Sequence, residues 1–211
     1  MPYVFTRAIK VAGSGVDSLG WAARITEKVN QIAEVKVNLW SPVMSPQINT
    51  FIWGTMVEDL SLLTVTDEKL MADSGYLDLA AEGEQFDNGT GIDDQLVQMV
   101  HLDPDMPVEG NYATSVTAIL APGASMEGIA LGVEIAQRAK AVTGRGTSFG
   151  VASTGVYGQV QWLVLYDTIE EVQAANEAIN ADAEFGQLID QKASKTYLAG
   201  QSAQTISRRI V

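Results

Sequence analysis

The chain has 211 residues, 46% of them apolar, and its 26 acidic and 13 basic residues give a formal net charge of -13. This apolar content is enough for one large or two small hydrophobic cores and excludes an intrinsically disordered chain. The negative charge argues against nucleic acid and anionic membranes as partners, because residues 70–137 contain no Lys or Arg and no basic patch compensates.

The sequence contains no cysteine, which excludes disulfides, thiolate metal sites and cysteine nucleophiles. Its first residues enter a strand-like alternation without the basic segment and the long apolar run of a signal peptide. No window is apolar over the length needed to span a bilayer. We therefore expect a cytoplasmic protein without a membrane partner.

The first half of the chain is predicted to form a strand, a helix, a hairpin, a second helix and a last strand. Residues 3–11 alternate as a strand does and end in a turn at residues 12–14. A helix follows, since one stripe at steps of three and four residues holds Val16, Leu19, Ala23, Thr26 and Val29. The remaining elements are predicted at residues 35–43 and 49–58 for the hairpin, 72–79 for the second helix and 96–102 for the last strand.

The second half repeats this order after a Pro- and Gly-containing linker at residues 103–111. Its first helix is marked by a stripe of Met126, Ile129, Val133 and Ala136. Its second helix is predicted to begin at Thr168, because Glu171 follows three residues later in a capping-box pattern. The strands are predicted at residues 113–121, 147–154, 159–167 and 205–211.

The two halves match each other when the chain is shifted on itself by about 110 positions. With a one-residue adjustment, Trp53 then meets Trp162, Ala72-Asp73 meets Ala181-Asp182, and Tyr76 meets Phe185. Apolar positions face apolar positions throughout, so the economical explanation is a tandem duplication. The predicted organisation is a first repeat at 1–102, a linker at 103–111 and a second repeat at 112–211.

The third strand of each predicted repeat is apolar on both faces. In the second half, Trp162 and Val164 lie on one face while Leu163 and Leu165 lie on the other, and the first half shows the same pattern. The helices of one repeat cover only one face, so the other face needs a second sheet. We predict an α+β fold in which two βαββαβ repeats pack sheet to sheet as an eight-stranded barrel within one chain.

Two segments carry a family resemblance. Residues 180–188 and the closing strand at 204–209, with a weaker copy of the first at 72–79, resemble the second helix and last strand of the dimeric α+β barrel (ferredoxin-like) superfamily. This superfamily includes NIPSNAP-like proteins, stress-responsive barrel proteins and antibiotic-biosynthesis-type monooxygenases. The resemblance implies the fold, with ligands often held between sheet and helices, and it carries over no catalytic residue.

His101 is the only histidine, so any imidazole chemistry would have to use it. It is predicted to alternate with Met99 and Val97 on the last strand of its half, which favours a packed or edge-strand histidine over a catalytic one. The Asn, Trp and His of the haem-degrading members of the superfamily cannot be placed here. A second histidine for a His-rich metal site is also missing, so we expect neither metal nor cofactor.

Aromatic residues and one arginine are the candidate ligand-binding positions. Trp53 and Trp162 occupy the same place in the two halves, and with Tyr166 they are either core residues or the walls of a pocket for a flat apolar ligand. Arg7 lies on an otherwise uncharged part of the first strand and is the best polar partner for such a ligand, with an exposed edge or a salt bridge as the alternative. Its predicted counterpart in the second half is Thr117.

Two glycine-containing segments have structural explanations. Residues 87–94 carry oxygen ligands but lack the spacing of an EF-hand loop, so we interpret them as a solvated loop. Residues 143–147 follow a helix instead of opening one, which predicts a helix C-cap and a turn and not a phosphate loop.

Two function classes remain open on the sequence alone. One is a cofactor-independent, monooxygenase-like or isomerase-like enzyme that acts on a small apolar or aromatic molecule, with His101 and Arg7 as weak catalytic candidates. The other is a non-catalytic ligand-binding or assembly scaffold, for which a homo-oligomer is a natural state. A ligand-sized cavity that joins His101 or Arg7 to Trp53 or Trp162 would favour the enzyme.

Overall fold

A computed structural model describes residues 1–12, 16–47 and 49–211. Its strands are β1 Tyr3–Val11, β2 Asn38–Val43, β3 Thr50–Val57, β4 Asp87–His101, β5 Tyr112–Ile119, β6 Ser148–Ala152, β7 Gln159–Tyr166 and β8 Ala203–Arg209. Its helices are α1 Val16–Ile32, α2 Ser61–Ala72, α3 Ser74–Gly83, α4 Ser125–Thr143, α5 Ile169–Ala181, α6 Ala183–Leu188 and α7 Ser194–Thr196. A 3₁₀ turn precedes β4, and a π-helical turn connects α6 to α7.

The strands are hydrogen-bonded in the order β1-β3-β2-β8-β5-β7-β6-β4, and this order closes into a barrel. The pairs β1–β3, β5–β7, β2–β3, β6–β7 and β4–β6 are all antiparallel. The predicted α+β class and the eight-stranded barrel are therefore confirmed.

The chain forms two compact units. The first unit comprises Met1–Leu96 together with Arg208–Val211, and the second unit comprises Val97–Ser207. The last residues of the chain complete the sheet of the first unit, because the Leu39 N–H donates to the Val211 carbonyl at 2.9 Å and the Ile210 N–H donates to the Leu39 carbonyl at 2.7 Å. The boundaries of the predicted repeats and linker stay a prediction.

The core of the first unit is built around Trp53 of β3. It is formed by Val11, Trp21, Ala22, Ile25, Leu39, Phe51 and Trp53. The buried face of α1 therefore includes Trp21, Ala22 and Ile25, whereas Val16 is 80% exposed, so the predicted stripe is wrong in its first turns. Small side chains such as Ala22 lie on the buried face because they let the helix approach the sheet closely, and a hydrophobicity pattern undervalues them. The turn predicted at 12–14 falls largely outside the described residues.

The core of the second unit is built around Trp162 of β7. Its members include Leu131, Ile135 and Ala136 of α4 with Phe149, Val160 and Tyr197. Helix α4 carries glycine at Gly132, where a Cβ would overlap the Phe149 ring and lie 2.7 Å from its Cε1 atom. Helix α5 covers a smaller cluster of Tyr166, Val172 and Ala175.

Helix ends follow the sequence signals. Thr168 and Glu171 form the predicted capping box at the start of α5. Gly144 ends α4 with φ 69°, and its N–H donates to the Lys140 carbonyl, which confirms the predicted C-cap. Residues 87–94, in contrast, are not a loop but the first part of β4, in which Gly89 and Gly91 have positive φ.

No helix in the described part of the chain is long and apolar enough to cross a membrane. The cytoplasmic location stays a prediction.

Candidate functional site

The two central tryptophans use their indole N–H groups within their own cores. Trp53 Nε1 donates to Thr26 Oγ1 at 2.8 Å, and Trp162 Nε1 donates to the Gly132 carbonyl at 2.8 Å. Each ring also meets an aromatic neighbour edge to face, Trp21 at 5.9 Å in the first unit and Tyr197 at 5.6 Å in the second. Both tryptophans are thus packed and hydrogen-bonded residues in the space between the helices and the sheet of their own units.

Arg7 forms an ion pair in the first unit. Its Nε donates to Asp94 Oδ1 at 2.8 Å and its Nη2 to Asp94 Oδ2 at 2.7 Å, and both side chains are more than a third exposed. The hydrogen bonds to Asp94 raise the Arg7 pKa further, against the effect of its burial. Arg7 lies opposite Trp53 as Val116 lies opposite Trp162, so its positional counterpart is Val116 and not Thr117. The first unit therefore has a charge where the second has an apolar side chain.

The candidate Tyr166 lies apart from the other tyrosine at the ends of β7. Tyr166 is buried at the end of β7, and this burial raises its pKa although a hydrogen bond with Thr114 acts in the opposite direction. Tyr157 lies in the turn between β6 and β7 and is 96% exposed. Within the second unit, these two residues therefore do not line a common pocket.

His101 is turned by a β-bulge. Val97 and Met99 pair regularly with Ala152 and Gly150 of β6, but the register shifts between Met99 and His101, so that His101 lies opposite Phe149. Directly opposed residues of an antiparallel pair point to the same face, and the Phe149 ring packs against α4. The predicted alternation of His101 with Met99 and Val97 is therefore wrong, because the bulge turns the imidazole to the helix side of the sheet.

The turn after β4 places a buried carboxylate beside this imidazole. Asp103 is 4% exposed, and its Oδ2 lies 3.9 Å from His101 Nε2. Its Oδ1 accepts hydrogen bonds from Lys140 Nζ of α4 at 2.8 Å and from the Asp105 N–H at 2.9 Å. The Asp103 N–H donates to Ser148 Oγ of β6 at 3.1 Å. Residues from β4, α4 and β6 thus converge at one point of the second unit.

The electrostatics keep Asp103 ionised. Burial raises its pKa, but the hydrogen bonds from Lys140 and the Asp105 N–H, with the charge of Lys140, outweigh burial and lower the pKa below the ordinary aspartate value. The hydrogen bonds to Asp103 and Asp105 raise the pKa of Lys140 correspondingly. A buried carboxylate therefore stays charged within reach of the only imidazole.

His101 Nε2 is the unusual atom of this cluster. It is buried without a hydrogen-bond partner among the described residues, and its distance to Asp103 is too long for a direct hydrogen bond. A buried polar atom without a partner costs free energy, and such atoms concentrate where function requires them. His101 Nε2 and Asp103 Oδ2 therefore face each other at 3.9 Å without a direct hydrogen bond.

Other candidate features of the described residues are less suited to chemistry. A surface depression of about 360 Å³ between α4 and α6 is lined by Glu134, Gln137, Arg138, Glu184 and Leu188. Its arginine already pairs with Asp182 and Glu184. No group of three or more His, Asp or Glu side chains in the described ranges is arranged to hold a metal ion.

The sequence singled out His101 but not its neighbours Asp103, Lys140 and Ser148. Asp103 was assigned to the linker, and Lys140 lies 37 residues further along the chain. The available signal was one of composition, since Lys140 is among the first basic residues after a long stretch of acidic ones.

No family model and no curated protein sequence matches the chain. Solved structures do match. A candidate monooxygenase from Fusobacterium nucleatum has 12% identity and a TM-score of 0.73 over 100% of this chain and 93% of that chain. A candidate monooxygenase from Lactobacillus acidophilus has 8% identity and a TM-score of 0.65 over 99% of this chain and 93% of that one. An anthrone oxidase-like protein has 14% identity and a TM-score of 0.65 over 100% and 92%.

At these identities the likeness concerns the fold alone. The chain shares the fold of these three solved structures, an α+β fold with a closed eight-stranded barrel, as the resemblance implied.

Proposed function

We propose that the protein is a cofactor-independent, monooxygenase-like or isomerase-like enzyme that acts on a small apolar or aromatic molecule, with His101 as its general base. The observation that carries this proposal is the β-bulge that turns the only imidazole towards the buried, ionised Asp103. Bulges are frequent next to active sites, where they re-aim a side chain.

The chemistry needs only acid–base groups. His101 removes a proton from a carbon that a neighbouring carbonyl or aromatic ring acidifies, and Asp103 stabilises the imidazolium that forms. Return of the proton to a different carbon is an isomerisation. Reaction of the carbanion with O₂ is an oxygenation, in which a CH₂ group and O₂ give a carbonyl group and water. The substrate supplies the electrons, so atoms and electrons balance without a separate reductant.

A probe reaction tests the first step. A general base removes the ring C–H proton of 5-nitrobenzisoxazole, the N–O bond breaks, and a coloured cyanophenolate forms. We expect the protein to accelerate this reaction and H101Q to lose about a hundredfold or more of that acceleration, the usual contribution of a positioned base. Tyr157→Phe, at an exposed position of the same unit, is the control and should keep the full rate. Equal rates for H101Q and the unaltered protein would overturn the proposal.

A second measurement separates the two reaction types. Anthrone carries an acidified CH₂ group, and an oxygen electrode records whether one O₂ is consumed for each anthrone. Uptake of O₂ that depends on His101 supports the monooxygenase-like activity. Exchange of the CH₂ hydrogens with deuterated water at unchanged O₂ supports the isomerase-like activity instead.

The packing of the two cores favours a second candidate, a non-catalytic ligand-binding or assembly scaffold. Trp53, Trp162 and Tyr166 are buried in the hydrophobic clusters of their own units, which is the packing that a structural role requires. Native mass spectrometry of freshly purified protein tests this candidate. A retained small molecule or a defined homo-oligomer, in a protein that is inactive towards 5-nitrobenzisoxazole, would support the scaffold over the enzyme.

We also propose that the two halves arose by duplication, with the repeats at 1–102 and 112–211 and the linker at 103–111. Asp73 and Asp182 support this, because each caps the helix that follows it by accepting a backbone N–H. Each aspartate also pairs with a cation of the long helix in its own unit, Lys28 in α1 and Arg138 in α4.

A further inference from the structure

The segment Asp103–Met106 forms a closed turn at the end of β4. The Met106 N–H donates to the Asp103 carbonyl at 3.1 Å, and the Asp105 N–H donates to the Asp103 carboxylate at 2.9 Å. Lys140 Nζ joins both carboxylates of this turn, Asp103 Oδ1 at 2.8 Å and Asp105 Oδ2 at 2.5 Å. One ammonium group therefore ties the whole turn to α4.

The turn rests directly on the segment that leads into β6. Ser148 Oγ accepts the Asp103 N–H and donates to Met106 Sδ at 3.2 Å. A Cβ at Gly146 would lie 2.6 Å from the Asp105 carbonyl carbon and 2.7 Å from Met106 Cα. Glycine is required at position 146 because the backbone of the turn passes too close for a side chain. The turn is therefore packed tightly against this segment.

The tight packing of this turn restricts access to His101. The histidine side chain is 23% exposed, but its Nε2 atom is buried and faces Asp103 Oδ2. A substrate or reagent can therefore reach Nε2 only when the turn moves. The outer part of the Lys140 contact is suited to opening, because Asp105 is 69% exposed and its ion pair is screened by water and salt.

We infer that Lys140 is a positioning residue that latches the Asp103–Met106 turn over His101 and so controls access to Nε2. The inference rests on the proposed function, since it assigns the gate of that site. With the latch closed, Asp103 is fixed beside the imidazole. With the latch open, Nε2 is exposed to a small molecule.

Because the chain has one histidine, the absorbance at 240 nm after treatment with diethyl pyrocarbonate reports on that residue alone. The reagent can acylate either imidazole nitrogen, so the NMR signals of the modified ring identify the fraction that has reacted at Nε2, and the rates compared below are those of Nε2 acylation. We expect K140M to react roughly tenfold faster than the unaltered protein, because the loss of charge-assisted hydrogen bonds frees the turn. K140R keeps the cation and should restore the slow rate. Added salt should accelerate the unaltered protein but not K140M.

Lys192→Met is the matched control. Lys192 forms an ion pair at 2.6 Å with Glu134, a residue of α4, which is also the helix of Lys140. This ion pair does not involve the Asp103–Met106 turn. Lys192→Met should leave the acylation rate unchanged, and circular dichroism of each variant shows that it is folded. Equal acylation rates for K140M, K192M and the unaltered protein would overturn the latch, as would failure of K140R to restore the slow rate in a folded variant.

The two proposals fail separately. The acylation rate does not depend on turnover. If K140M is acylated faster but the unaltered protein shows no His101-dependent reaction with 5-nitrobenzisoxazole, the latch is supported and the proposed enzyme activity is rejected. A His101-dependent reaction together with an unchanged acylation rate in K140M keeps the enzyme and removes the latch.

Discussion

The cores of the two units satisfy the same tryptophan in two different ways. In the first unit, Trp53 donates to the Thr26 hydroxyl, and this hydroxyl donates in turn to the Ala22 carbonyl at 2.6 Å. In the second unit, Ala136 stands at the position of Thr26, and Trp162 donates directly to the carbonyl of Gly132, the counterpart of Ala22. The helix carbonyl is thus the final acceptor in both units, and one unit inserts a hydroxyl before it.

The two units also divide side-chain volume differently between the long helix and the neighbouring strand. Ala22 of α1 accompanies Leu39 of β2 in the first unit, whereas Gly132 of α4 accompanies Phe149 of β6 in the second. Leu39 and Phe149 are both fully buried and lie opposite the central tryptophan of their unit. A larger strand residue is therefore matched by a smaller helix residue, so close packing constrains the sum of the two volumes and leaves each one variable.

The largest expected effect comes from Gly132→Ala. Alanine favours a helix over glycine by about 1 kcal/mol, but its methyl group would overlap the buried Phe149 ring, and overpacking of this kind costs about 3 kcal/mol. We expect a net loss of about 2 kcal/mol in the free energy of unfolding, measured by urea denaturation.

The exchange of volumes predicts a rescue of this variant. Phe149→Leu, added to Gly132→Ala, gives the second unit the residue pair of the first, so the double variant should be more stable than Gly132→Ala alone. A double variant no more stable than the single one would show that the volumes are not coupled.

A smaller effect is expected from Thr26→Val, which keeps the side-chain shape but removes the acceptor of the Trp53 indole. A buried N–H without a partner should cost about 1 kcal/mol in the free energy of unfolding. Thr196→Val is the control, because the buried Thr196 also donates to the carbonyl four residues earlier, at 2.9 Å, but lies away from Trp53. If both variants lose the same stability, the indole bond contributes nothing of its own.

The smallest effect concerns pH and the buried Asp103 of the second unit. Because its pKa is lower in the folded protein than in the unfolded chain, its contribution to stability is present above about pH 4 and is lost as the pH falls through the folded value. We expect Asp103→Asn to be less stable than the unaltered protein at neutral pH and the difference to shrink in acid. Denaturation curves at several pH values check this, and a difference that is constant down to pH 2 would contradict it.

The sequence predicted the fold well because the fold depends on local and repeated signals. The strand alternation, the Thr168 and Glu171 capping box and the Gly144 helix end are all written in neighbouring residues. The buried face of α1 was predicted correctly at Thr26 but not in its first turns, where the small Ala22 packs closely against the sheet, a contact that no local pattern records. The start of β4 was missed because Gly89 and Gly91 are typical of loops.

The candidate site was only partly predictable. His101 stood out as the only histidine, but its direction depends on a bulge that only the pairing with β6 reveals. The contact between Asp103 and Lys140 joins residues 37 positions apart, and no sequence periodicity predicts a charge pair at that separation. Ser148 was assigned to a strand, where a hydroxyl is unremarkable until its partner is known.

The final four residues of the chain, Arg208–Val211, belong to the first unit, and their backbone bonds reach Leu39. On the ribosome, the sheet of the first unit must therefore wait for residues 208–211 before this edge is closed, while the second unit has all of its own residues slightly earlier.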